Sequence, residues 1–233
     1  MSNLIVATSR VSDGNMYNRN DMADPETIKN KEAFLARHGI TMEQTTRLHI
    51  SPLKRDKELG ETNWCRYREV TEEEKGAGMR SASSDEMIAD AIITRTNGHA
   101  LMLPIADCIG TVFYDPIQHV LMLSHLGRQS LEQQGAINSV KHLVKSYGSN
   151  PADIKVWMTP SASKEVYPIW ALDNKGMKEV AFEQLAAAGI APENITDNPA
   201  ETDKDPEYYS YTNLYNGRTD VDGDHMIIAM MSD

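Results

Sequence analysis

The sequence predicts an α+β fold: a single layered domain in which mixed, largely antiparallel sheets are flanked by helices. Three observations predict it. Short apolar runs crowd the middle of the chain at about 90–95, 100–105, 109–114 and 119–124, too close together to leave room for a helix between each pair. Helical patterns stand before and after that cluster instead of alternating with it, which argues against a doubly wound parallel sheet. The chain has 233 residues, 40% of them hydrophobic, enough for one substantial core, and no internal repeat or low-complexity tract divides it.

The elements follow in order. Ser2 to Ala7 reads as a short strand. Asp24-Pro25-Glu26 supplies a cap acceptor, a proline at the first helical position and a first-turn acid, so a helix should run to about His38 and stop at Gly39. Residues 54–88 are charged and glycine-bearing, a solvated insertion that interrupts the domain. After the four strands, Ser130 to Tyr147 places Leu131, Ile137, Val140, Leu143 and Tyr147 near helical spacing and ends at Gly148. A strand at 154–158, a helix at 174–188, a strand at 193–196 and strands at 207–212 and 225–231 complete the reading.

Twenty-three basic and thirty-four acidic residues give a net charge of −11, which argues against a nucleic-acid or anionic-membrane surface and leaves a small molecule as the expected partner. No run approaches 18 consecutive apolar residues, and MSNLIVATSR lacks the basic-then-apolar pattern of a secretory signal. Only Cys65 and Cys108 are present, so a disulfide framework is not expected and a cytoplasmic setting is. Monomer and dimer both remain open.

Within the strand cluster, ADCIGTVFYDPIQHVLMLSHLG carries a reactive side chain at each outer end. If 109–114 and 119–124 form a hairpin around Asp115-Pro116-Ile117-Gln118, loops of two or four residues place Cys108 directly opposite His125. Opposed residues share a face with Cβ atoms roughly 4.5–5.5 Å apart, which suits two ligands of one metal ion. Loops of three or five residues would put the two on opposite faces. A buried cysteine near a satisfied histidine, or a thiolate–imidazolium nucleophile, would use the same placement. Among the other histidines, His142 and His38 fall on a helix and its end, His99 and His119 in or beside turns, and His225 at the start of the last strand. His49, between a short apolar approach and a proline, is the one a loop could aim inward.

Arg47-Leu48-His49, Asp90-Ala91-Ile92-Ile93-Thr94, Ala106-Asp107-Cys108, Tyr114-Asp115-Pro116 and His125-Leu126-Gly127-Arg128 together resemble the laccase-domain family, long named multicopper polyphenol oxidases and regarded as purine nucleoside phosphorylases. Tyr208-Tyr209-Ser210-Tyr211 and Gly217-Arg218 match its C-terminal pattern, so the likeness extends over nearly the whole chain; the match around Arg10 is loose. The resemblance implies a zinc ion held by His49, Cys108 and His125 beside a nucleoside pocket, with copper the lesser alternative. Several residues depart from the pattern. The family's His-Ala-Gly-Trp-Arg-Gly is HLGRQS here, its Gly-Pro-x-Ile is Thr159-Pro160-Ser161-Ala162, and Thr212 stands where an arginine is expected.

Two histidines and a cysteine would leave zinc an open position, the catalytic arrangement. Multicopper oxidation needs several centres, which seven scattered histidines cannot furnish. The implied reaction is phosphorolysis of a purine nucleoside such as adenosine, inosine or methylthioadenosine, giving base and pentose 1-phosphate. Arg128 and Arg218 are the candidate phosphate clamps and Arg47 and Arg10 weaker ones; Cys108 joins Arg128 and Arg218 as a candidate catalytic residue. Asp107 is expected to orient its neighbours rather than act as a base. The competing readings are a zinc hydrolase or adenosine deaminase, a non-catalytic metal or nucleotide binder, and a thiol hydrolase.

Overall fold

The computed structural model describes residues 3–50, 64–81 and 88–232. Two sheets form its centre. The first has the order β1 (Asn3–Thr8), β10 (His225–Ser232), β5 (Ala100–Ile105), β2 (Thr45–Arg47). The second has the order β3 (Tyr67–Glu69), β4 (Ala91–Thr94), β7 (Val120–Leu126), β6 (Ile109–Asp115), β8 (Lys155–Met158), β9 (Ile195–Asp197). Pairing is antiparallel except for β2–β5, β3–β4 and β8–β9. The predicted mixed, mostly antiparallel α+β architecture is the one observed.

Strand alternation sorts the apolar side chains into three layers of core. On β10, Met226, Ile228 and Met230 face α1 (Pro25–Arg37) with Phe34 and Leu35, while Ile227, Ala229 and Met231 face the second sheet. There they meet Val112, Tyr114, Leu121 and Leu123. The opposite face of the second sheet, through Phe113, Val120 and Met122, packs on α2 (Arg128–Glu132), α3 (Gly135–Tyr147) and α4 (Met177–Ala187). Both sheets are thus covered on both faces, which is why their strands read as continuous apolar runs instead of alternating ones. The order of layers is helix, sheet, sheet, helices.

Most local signals produced their elements. Asp24 accepts from the N–H groups of Glu26 and Thr27 to start α1, and Gly39 lies beyond its end at φ 70°. Three expectations need correction. The helix predicted over 130–147 is two helices, broken at Gln134, whose backbone is left-handed at φ 62°. Gly135 is what permits the break, since a Cβ there would lie 2.8 Å from the Ser130 carbonyl oxygen. Residues 207–212 are not a strand: Ser210 caps a short helix, α5 (Tyr211–Tyr215), by accepting from the Asn213 N–H at 3.2 Å. β2 and β3, three residues each, were not anticipated. Of the predicted insertion at 54–88, residues 54–63 and 82–87 lie outside the described residues. Among the described residues, no helix is long and apolar enough to cross a membrane.

Candidate active site

The chain passes from the first sheet to the second in a three-residue corner. β5 ends at Ile105, β6 begins at Ile109, and Ala106-Asp107-Cys108 makes the turn between them. Asp107 is left-handed at φ 71°, a conformation that aspartate tolerates better than most residues. Its carboxylate is buried and fully engaged: one oxygen accepts the Thr202 hydroxyl at 2.7 Å, the other the Thr212 N–H at 2.6 Å. Its carbonyl accepts the Ala162 N–H at 2.8 Å. Asp107 therefore ties the corner to two later segments and orients its surroundings, as its position in the sequence suggested.

The hairpin register differs from the predicted one by two residues. Asp115 lies opposite Val120 and Gly110 opposite His125. The cause is the Asp115 carboxylate, which accepts from the N–H groups of Ile117 and Gln118 at 2.8 and 3.0 Å, so Gln118 cannot close the ladder. His119 completes a four-residue loop in the left-handed region at φ 53°. Cys108 is consequently diagonal to His125 rather than directly opposite it. A shift of two residues preserves the face, and both side chains border the space that Gly127 leaves open. A Cβ on Gly127 would lie 3.1 Å from Cys108 Sγ, 3.1 Å from His125 Nε2 and 2.8 Å from His125 Cε1.

His49 approaches the same end of the inter-sheet layer by a different route. The chain leaving β2 forms a single parallel bridge, His49 to Ile88, and the His49 carbonyl accepts from the Ala89 N–H at 3.1 Å. The next carbonyl along, that of Asp90, accepts from the His125 N–H at 2.8 Å. Among the described residues no group of three His, Cys, Asp or Glu side chains is close enough to hold a metal ion. Of the three ligands implied by the resemblance, Cys108 and His125 offer a sulfur and an imidazole nitrogen, donor types zinc takes, next to Gly127.

Around this pair the electrostatics are distinctive. Burial, and then the Asp107 carboxylate, push the Cys108 thiol up to about 12, against a smaller opposing pull from Arg128. Arg128 opens α2, and its guanidinium carbon lies 5.5 Å from the Tyr167 ring centre and 5.7 Å from that of Trp170. Burial raises the Tyr167 phenol, with Cys108 adding to the shift, so it keeps its proton. Tyr167 and Trp170 were not anticipated; a turn aromatic with no periodic partners carries no sequence signal beyond its own presence.

The other arginines are placed differently. Arg218 is exposed, closes the turn after α5 through its backbone N–H to the Asn213 carbonyl at 2.8 Å, and has no described side-chain hydrogen bond or ion pair. Arg10 pairs with Glu207 at 2.7 Å. Arg47 is buried, donates to the Gly78 carbonyl at 2.7 Å and lies 5.0 Å from the Tyr17 ring centre. A cavity of about 240 Å³, lined in part by Thr202, Tyr208, Ser210 and Asn213, sits against the segment that Asp107 anchors. Cys108, His125 and Arg128 are not in its lining.

Residues 42–174, more than half of the chain, match the family model described as multi-copper polyphenol oxidoreductase laccase. The chain belongs to that family. The matched region of this laccase-family chain holds His49, Cys108, His125, Arg128, Tyr167 and Trp170. Purine nucleoside phosphorylase YlmD of Bacillus subtilis (strain 168) is 31% identical over 109 residues, 47% of this chain. The match spans only 39% of that relative's length. Hypothetical protein YfiH of Bacillus licheniformis superposes with a TM-score of 0.78 at 17% identity, covering 98% of this chain and 93% of its own. YlmD of Geobacillus stearothermophilus gives 0.73 at 15% identity, with 100% and 92% covered. The two structural likenesses show that the chain shares the fold of YfiH and YlmD.

Proposed function

We propose that this protein is a purine nucleoside phosphorylase, converting a purine nucleoside and phosphate to free base and pentose 1-phosphate. The observation that carries the reading is the convergence of Cys108 Sγ and His125 Nε2 beside Gly127, with Arg128 starting a helix at the next position. Support from outside the chain is the relative named purine nucleoside phosphorylase.

Breaking the glycosidic bond builds positive charge on the sugar and negative charge on the base, so groups that meet those charges favour the transition state. Arg128, electrostatically coupled to Cys108, supplies the positive charge for phosphate. Tyr167 retains its proton and can donate a hydrogen bond to a leaving base or a phosphate oxygen. Asp107 has both oxygens occupied, so it holds the corner and does not take a substrate proton. A zinc ion bound here would be held by Cys108 and His125, with His49 as the third ligand in the resemblance, and would supply a Lewis acid.

The test is chromatography of zinc-supplemented protein incubated with adenosine, inosine or methylthioadenosine, with and without phosphate. Phosphorolysis predicts base only when phosphate is present. Base released without phosphate would make the protein a hydrolase, inosine from adenosine a deaminase, and saturable binding with no product a non-catalytic binder.

A further inference from the structure

Trp170 stands in solvent at the edge of the candidate site, 70% exposed. Its backbone is firmly held. Ile169, fully buried, donates its N–H to the Lys175 carbonyl at 2.8 Å; Leu172 donates to Ile169 at 3.0 Å and Lys175 to Leu172 at 3.1 Å. The turn closes through two successive left-handed residues, Asp173 at φ 56° and Asn174 at φ 57°. Such conformations persist where surrounding contacts over-determine them, and they recur at ligand clamps. The result is an indole carried on a well-held backbone yet left in water, where a large aromatic ring is poorly hydrated.

Its neighbours point to what covers it. The Arg128 guanidinium lies against both Trp170 and Tyr167. Arg128 borders the corner, its backbone N–H bonded to the Cys108 sulfur, and its guanidinium reaches out to Tyr167 and the open indole. A ligand with an oxyanion beside Arg128 and a flat heteroaromatic ring farther out matches that order: the anion meets the cation, and the ring meets the exposed π-face.

Resting on the phosphorylase reading, we infer that Trp170 is the stacking plane for the purine base and sets the enzyme's nucleoside affinity. Arg128 stands between the base plane and the phosphate. Stacking is tolerant of ring substituents, so Trp170 serves adenine and hypoxanthine alike, and discrimination between them falls to other groups.

The test compares wild type, Trp170→Leu and Trp170→Phe. Nucleoside is titrated in phosphate-free buffer by tryptophan fluorescence and by calorimetry; steady-state kinetics follow with phosphate. Wild type should show saturable quenching that Trp170→Leu lacks. Nucleoside Kd and KM should rise on the order of tenfold or more in Trp170→Leu, the loss expected for one base–aromatic stack. Trp170→Phe should stay near wild type, with the KM for phosphate within about twofold in both variants. The side chain is exposed, so both variants should keep the wild-type Tm. Unchanged nucleoside affinity in Trp170→Leu overturns the inference, as does a monomer–dimer shift in that variant without any loss of affinity. Quenching through Trp170 without turnover would uphold the platform and sink the phosphorylase reading; phosphorolysis indifferent to Trp170 would do the reverse.

Discussion

At the scale of single residues, Asp107 has the most demanding position. It must be left-handed, must be buried, and must present two carboxylate oxygens to Thr202 and Thr212. Asparagine meets the first requirement and half of the third; alanine meets neither. Losing an acceptor for a buried donor costs about 1–3 kcal/mol, and forcing a left-handed alanine adds roughly 1–2 kcal/mol. Asp107→Ala should therefore lower the denaturation midpoint distinctly more than Asp107→Asn, with no change in m-value. Equal losses in the two variants would mean that the backbone conformation contributes nothing.

At the scale of elements, the hairpin of β6 and β7 shows what the sequence discloses and what it withholds. Two apolar runs around Asp-Pro disclose a buried pair of strands, and an even-length loop, as observed, is what puts Cys108 and His125 on one face. The register stays hidden because it depends on which backbone N–H groups Asp115 captures in the turn. The split helix is hidden for a related reason, since periodicity continues across Gln134 while its backbone turns left-handed. Residues 207–212 read as a strand because Tyr208, Tyr209 and Tyr211 favour one; a serine cap and the pull of Asp107 give a helix instead. Tyr167 and Trp170 belong to the site only through tertiary contact, which no local pattern encodes. The two sheets come close at Gly110, where an added Cβ would lie 2.7 Å from Ile227 Cγ2. Gly110→Ala should cost about 1–3 kcal/mol by overpacking, and its cost should shrink in an Ile227→Ala background, where that methyl is gone. Strict additivity in that double-mutant cycle would contradict the close approach.

At the scale of the whole molecule, the inter-sheet layer carries both the core and, at one end, the candidate chemistry. His225 lies in that layer with no exposure; among the described residues neither ring nitrogen has a hydrogen-bond partner, and Tyr208 packs edge-on at 5.5 Å. Burial lowers its pKa from 6.5 to about 3. A folded-state pKa below the unfolded value means the native state resists the proton, so stability is lost as pH falls from about 6.5 toward 3. His225→Leu should flatten the fall of Tm between pH 7 and pH 4; parallel curves would show that the ring is not held neutral.

The account stands most directly on one measurement: phosphorus NMR of inorganic phosphate incubated with inosine and the zinc-supplemented protein, alongside Cys108→Ser and His125→Ala. A sugar-phosphate ester resonance should grow in step with base release in wild type, and at least about a hundredfold more slowly in the two variants, as expected when groups acting in the transition state are removed. Base release with no ester, or an ester formed equally well by all three proteins, would contradict it.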